Sequence, residues 1–183
     1  STFTYHINTM RSRLALALLP ALLLLGACTS EAPSEASSED IGARTAAVTT
    51  TNGTAQVTIT PRENRMTFWE TRFTVAPGQE VTLVFENTAT RRAMIHNVVL
   101  LRTEEQAVVN RVGQAALAAG KDAAYLPDDE AIVAATELAS PGETVAVTFT
   151  APSEPGAYAY LCTFPGHYLT MQGTMRVEAA PAT

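Results

Sequence analysis

Four side chains able to hold a soft or borderline metal fall into two short blocks. Cys162, His167 and Met171 lie within the ten residues Cys-Thr-Phe-Pro-Gly-His-Tyr-Leu-Thr-Met, and His96 stands far upstream in Ile95-His96-Asn97. A thiolate, two imidazole nitrogens and a weak thioether form a donor set suited to copper and to one-electron chemistry. Thiolate and thioether favour Cu(I), while imidazole serves both oxidation states, so such a cage rearranges little when an electron moves. Four residues separate Cys162 from His167 and three separate His167 from Met171; Pro165-Gly166 between them predicts a turn that folds three side chains onto one centre. Singly, each residue is ordinary: a cysteine in an apolar strand is a small hydrophobe, and a methionine fills core space. Their concentration carries the reading, because His6 is the sole other histidine and Cys28 the sole other cysteine.

The elements that must position these residues read as strands. Val57 and Ile59 alternate with Thr58 and Thr60; Trp69, Thr71, Phe73 and Val75 share one parity before Ala76-Pro77-Gly78. Val81, Leu83 and Phe85, then Val145, Val147 and Phe149, and finally Met175 and Val177 repeat the period of two. Pro155-Gly156 precedes the apolar run that ends at Cys162. Such patterning, punctuated by Pro and Gly, predicts an all-β antiparallel sandwich or barrel, with His96 supplied from a separate strand. One segment departs from it. Thr103-Glu104-Glu105-Gln106 predicts a capping box, and Val108, Val109, Val112, Ala115, Ala116 and Ala119 follow at helical spacing up to Gly120. Gly113 is unfavourable inside that helix, which is expected to lie as a lid outside the sandwich, followed by a loop over residues 121–130.

The 183-residue chain has room for one domain with extensions. A net charge of −6 and the lack of a basic patch argue against nucleic acid as a partner. Two cysteines rule out a multi-disulfide framework, a four-thiolate iron–sulfur cluster and a Cys-x-x-Cys-His haem attachment. Near the N-terminus, Arg11 and Arg13 follow Met10 and precede an apolar run over residues 14–25, broken by Pro20. That run is too short to span a bilayer and predicts an export signal over residues 1–27, with residues 1–9 upstream of a start at Met10. Leu25-Gly26-Ala27-Cys28 resembles the lipobox of bacterial lipoproteins. That resemblance implies cleavage before Cys28, a diacylglyceryl anchor on its sulfur, and a membrane-attached position on the periplasmic or extracellular face. Residues 28–53 are rich in Ser, Thr, Ala and Glu, with few large apolar side chains, and predict a flexible tether. The folded domain is then expected over residues 54–179, with a short tail at 180–183.

The ligand block resembles a known family. Cys162-Thr-Phe-Pro-Gly-His167, with Met171 beyond it, is similar to the copper loop of azurins. Gly166-His167-Tyr168 and Met171-Gln172-Gly173 resemble still more the auracyanins, azurin-type cupredoxins of photosynthetic bacteria. His96-Asn97-Val98-Val99-Leu100, Tyr125-Leu126-Pro127-Asp128-Asp129 and the run from Glu143 to Phe149 extend the similarity over residues 64–178. The resemblance implies a Greek-key cupredoxin sandwich with one type 1 copper ion. It makes His96, Cys162 and His167 equatorial ligands, Met171 a weak axial ligand, and the Ile95 carbonyl oxygen a further weak contact. It implies that Asn97 ties the two ligand blocks together through Thr163, and that the Phe164 N–H donates to the thiolate. Pro165 has no N–H to offer there. The chain departs from azurins in carrying Ile95 where they have glycine, and in having no cysteine pair for their disulfide once Cys28 is lipidated. Arg91-Arg92, just before the ligand strand, is also unlike the family.

On this reading the protein is a monomeric electron carrier and not an enzyme; nitrite reductases and multicopper oxidases need histidines that this chain does not have. The alternative is copper storage or delivery. The electron port is expected at the edge of His167, ringed by Pro165, Gly166, Leu169 and Met94. An apolar ring suits brief docking to a redox protein such as a c-type cytochrome or a membrane electron-transfer complex. The acidic composition predicts a basic partner surface.

Overall fold

The computed structural model of the protein describes residues 43–179. The expected signal segment, Cys28, residues 29–42 of the expected tether and the tail at 180–183 lie outside the described residues. Ten strands are arranged in two sheets. One has the order β1 (Arg44–Thr45), β4 (Glu70–Val75), β10 (Gln172–Val177), β9 (Gly156–Leu161), β6 (Val99–Leu101) and β7 (Ile132–Ala135). The other has the order β2 (Val48–Thr51), β3 (Thr54–Ile59), β5 (Glu80–Glu86) and β8 (Thr144–Thr150). The expected all-β sandwich with one α-helix is present. Its pairing is mixed, however: β1 with β4, β4 with β10 and β3 with β5 run parallel. Strand β4 crosses to the other sheet between β3 and β5, and such a crossover lets sequence neighbours pair in parallel.

The period-two patterns set the core. Val57, Ile59, Phe73, Val75, Val81, Leu83, Phe85, Met175 and Val177 are all buried in one cluster. Val145, Val147 and Phe149 of β8 are only partly buried, as expected at a sheet edge. Trp69 departs from its parity: it is half-buried, with the guanidinium groups of Arg44 and Arg62 at 4.1 and 4.7 Å from its ring. The sandwich also begins before Thr54. Strands β1 and β2, placed in the tether by composition, pair with β4 and β3. Their side chains are almost all exposed, so they carry no alternation to betray them; backbone hydrogen bonds hold them instead.

Helix α1 (Gln106–Ala119) lies where it was expected, but without the capping box. Glu105 occupies the N-cap with no side-chain cap, while the Thr103 hydroxyl accepts the Glu105 N–H at 3.1 Å in a local turn. Gly120, at φ 75°, ends the helix in the left-handed region, its N–H donating to the Ala116 carbonyl. Val109 and Val112 of α1 pack with Val99, Leu101, Ala159 and Leu161 in a second core. Strand β9 is therefore covered on both faces. Tyr158, Tyr160 and Cys162 face the first core, and Ala159 and Leu161 the second. Among the described residues no helix is long and apolar enough to cross a membrane.

Candidate metal centre

The centre lies at one end of the sandwich, where β9 runs out at Leu161 and the chain returns as β10 from Gln172. Between them the loop is held by its own backbone. The His167 N–H donates to the Phe164 carbonyl at 3.0 Å, and the His167 carbonyl accepts from Thr170 and Met171 at 3.1 and 2.8 Å. Gly166 takes φ 79°, the left-handed conformation that the turn needs and glycine adopts without strain. The Cys162 N–H donates to the Met171 carbonyl at 3.0 Å, closing the base of the loop. Met171 is fully buried in the same core cluster as Cys162.

His96 comes from the other block, though not from within a strand. It forms an isolated bridge with Ala139, with bonds of 3.2 and 2.7 Å, three residues before β6 begins. Asn87 steadies that block. Its Nδ2 donates to the carbonyls of Met94 at 2.7 Å and Ala139 at 2.8 Å. Asn87 was missed in the sequence, yet it had a signal: a polar residue two places beyond Phe85, on the parity of the core. Ile95 is half-buried and directly precedes His96.

The three strongest donors converge. His96 Nδ1 lies 3.0 Å from His167 Nδ1, and Cys162 Sγ lies 3.8 and 3.6 Å from the two nitrogens. The centre of that triangle is about 2 Å from each atom, the length of a metal–nitrogen bond. His96 and Cys162 are 0 % exposed and His167 is 5 % exposed, so the site is closed to bulk water except at the His167 edge. Asn97 joins the two blocks. Its Nδ2 donates to Thr163 Oγ1 at 2.8 Å, and its Oδ1 accepts the Thr163 N–H at 2.9 Å, all of it buried. The backbone N–H groups of Asn97 and Phe164 both point at the cysteine sulfur. The Phe164 N–H was expected there; the Asn97 N–H, from the distant ligand block, was not.

The electrostatics suit a cation. Burial pushes the Cys162 thiol up to about 12, against the pull of the two N–H groups. Burial lowers His96 to about 4, with the neighbouring His167 adding to the shift, and burial also lowers His167. Both imidazoles therefore stand neutral, with lone pairs available, and the thiol needs a strong positive partner to ionise. A coordinated metal supplies it, since a coordinating thiol is deprotonated outright. His96 Nε2 is buried with no hydrogen-bond partner. With the proton on that nitrogen, Nδ1 is the atom left to bind. The donors present thus fit one type 1 copper ion.

The expected port residues are spread around this end. Gly166 is exposed, Pro165 and Met94 are half-buried, and Leu169 is 65 % exposed. Tyr168 turns the other way, into the second core beneath α1. A Cβ on Gly113 would come within 2.2 Å of the Tyr168 ring, which is why the helix carries glycine there.

Comparison with known proteins agrees with the geometry. The family described as "Copper binding proteins, plastocyanin/azurin family" matches residues 55–178. Auracyanin A of Chloroflexus aurantiacus is 41 % identical over 128 residues, covering 69 % of this chain and 76 % of that protein. Its solved structure, described as a "blue" copper protein, gives a TM-score of 0.64 and covers 69 % of this chain and 100 % of that one. A dithionite-reduced auracyanin from Roseiflexus castenholzii, 37 % identical, gives 0.62 over 70 % of this chain and 99 % of that one. Outer membrane protein H.8 of Neisseria meningitidis is 35 % identical over 99 residues, 52 % of this chain and 52 % of that protein. By sequence, fold and donor set, the chain belongs to the plastocyanin/azurin family of copper-binding proteins.

Proposed function

We propose that this protein is an extracytoplasmic electron carrier that passes one electron at a time between redox proteins and catalyses no reaction of its own. The observation that carries the reading is the closed triangle of His96 Nδ1, His167 Nδ1 and Cys162 Sγ, with separations of 3.0 to 3.8 Å. Copper supplies a Cu(II)/Cu(I) couple there. His96, Cys162 and His167 would hold the ion, with the Met171 thioether and the Ile95 carbonyl oxygen as weaker donors.

The chain's own groups do the rest. The buried Asn97–Thr163 pair keeps the two ligand blocks at one spacing in both oxidation states, because neither can shift without leaving buried polar groups unpaired. The N–H groups of Asn97 and Phe164 stabilise negative charge on the sulfur, and hydrogen bonding there tunes the potential. Exclusion of water keeps other ligands away. His167, alone of the three donors in reaching the surface, is the path for the electron. A delivery protein needs an open, exchangeable site, which this is not.

The test is the visible and EPR spectrum of copper-loaded protein beside Cys162→Ser. Strong thiolate-to-copper absorption, reversible one-electron bleaching and loss of the band in Cys162→Ser are expected. A colourless protein that holds only Cu(I) would replace transfer with storage or delivery. A position outside the cytoplasm, anchored through Cys28, rests on the Leu-Gly-Ala-Cys block and on similarity to the outer membrane protein H.8. Incorporation of labelled palmitate that disappears in Cys28→Ala is the expected result.

A further inference from the structure

The charge of the whole chain and the charge beside the electron port point to opposite partners. Three loops are stitched together at this end. The Thr170 hydroxyl donates to the Met66 carbonyl at 2.7 Å, joining the ligand loop to the β3–β4 connection. The Asn64 carboxamide oxygen accepts the N–H groups of Thr90 and Arg91 at 2.9 and 2.8 Å, joining that connection to the segment leading to His96. The Arg91 carbonyl in turn accepts the Met94 N–H. What these loops expose is an apolar and cationic edge: Leu169 at 65 %, Met66 at 46 %, and the exposed side chains of Arg65, Arg91 and Arg92. The Arg111–Asp129 ion pair lies elsewhere, on α1 and the loop after it, and among the described residues none of these three arginines forms an ion pair with a carboxylate.

Acids do approach this end. Glu63 is on the same loop as Arg65, and Glu137 and Glu143 belong to the β7–β8 connection that meets His96 at Ala139. The arginines sit on the loops that the Asn64 and Thr170 hydrogen bonds tie to the segment carrying Leu169. At physiological ionic strength the screening length is about 8 Å, so a partner approaching His167 responds to this rim and not to the net charge of −6.

We propose that Arg65, Arg91 and Arg92 form a docking edge for a redox protein that carries an acidic patch beside its own electron-transfer centre, with Leu169 and Met66 as the apolar contact. This rests on the carrier reading above and reverses the basic partner surface that composition suggested. Exposed charges of this kind act on encounter rate more than on affinity, which suits a partner that must leave after each turnover.

The experiment uses one probe in two charge states: a basic c-type cytochrome, native and with its lysines succinylated. Stopped-flow mixing follows one electron passing from the ferrous haem to the oxidised copper centre, leaving ferric haem and Cu(I). At low salt the succinylated probe is expected to react faster, with a rate that falls as salt is added. Arg91→Glu/Arg92→Glu should slow it about tenfold, while Arg72→Glu/Arg176→Glu, the same charge change on exposed strand positions, should slow it far less. Equal slowing by both pairs, or a faster reaction with the native basic probe, would overturn the proposal. Amide shifts in metal-free protein on adding succinylated ferric cytochrome give a second readout, expected at Arg91, Arg92 and Leu169; shifts confined to other surfaces would also overturn it. Should the copper band itself be missing, the carrier reading falls, and the shift map still judges the docking edge.

Discussion

The molecule has two cores, and the ligand loop is fastened to both. The first lies between the sheets and takes Phe73, Phe85, Tyr160, Cys162 and Met171. The second lies outside β6 and β9, under α1, and takes Leu161, Val112 and, at its edge, Tyr168. Alternation along β9 sends Cys162 inward and Leu161 outward; past the turn, His167 faces the first side and Tyr168 the second. The first core is a sheet-to-sheet interior that any sandwich needs. The second lies under α1, and it clamps Tyr168, the residue next to His167. The donor triangle is therefore held by packing from two directions, and not by the turn alone.

The largest stability effect should come from the first core. Phe73→Ala is expected to cost about 3–5 kcal/mol in urea unfolding, as large-to-small changes at fully buried aromatics do. If the loss were under 1 kcal/mol, the sheet interior would not be the main store of stability. Asn97→Ala comes next. It strands the Thr163 N–H and hydroxyl in a buried place, at about 1–3 kcal/mol for each group left unpaired. It should also broaden the EPR signal of copper-loaded protein, because the two ligand blocks lose their tie.

Gly113→Ala tests the second core directly. Alanine favours a helix, yet here its methyl meets the Tyr168 ring, so a cost of about 1–3 kcal/mol is expected from overpacking. The visible band should shift as His167 is displaced. Adding Tyr168→Leu should recover much of the stability, a coupling that a double-mutant cycle reads. If the band stays fixed in Gly113→Ala, the helix does not bear on the metal loop. A further effect concerns pH. His96 is held neutral by burial, with its pKa lowered from 6.5 to about 4. The unfolded chain binds that proton first as pH falls, so metal-free protein should lose stability between about pH 6.5 and 4. Thermal melts at pH 7, 5.5 and 4.5 check this, with a shallower fall expected in His96→Asn.

Much of the site was legible because its information is local. Cys162, His167 and Met171 are close in sequence, their chemistry is rare, and a Pro-Gly turn announces how they meet. Strand parity marked the first core from Val57 to Val177, and it also marked Asn87, had a polar residue at a core position been read as a tie rather than a strand end. The capping box failed for a physical reason: the Thr103 hydroxyl found a nearer N–H in a turn, and the helix started later.

By itself the sequence determined the donor types, the turn that gathers three of them and the alternation that makes a sandwich, since each depends on neighbours a few residues apart. Tertiary structure alone decided that residues 44–51 join the sheets, that the Asn97 N–H meets the sulfur, that Tyr168 rests on Gly113, and that arginines from separate loops share one edge with Leu169. Those depend on contacts between segments distant along the chain, and only the packed fold determines which surfaces meet.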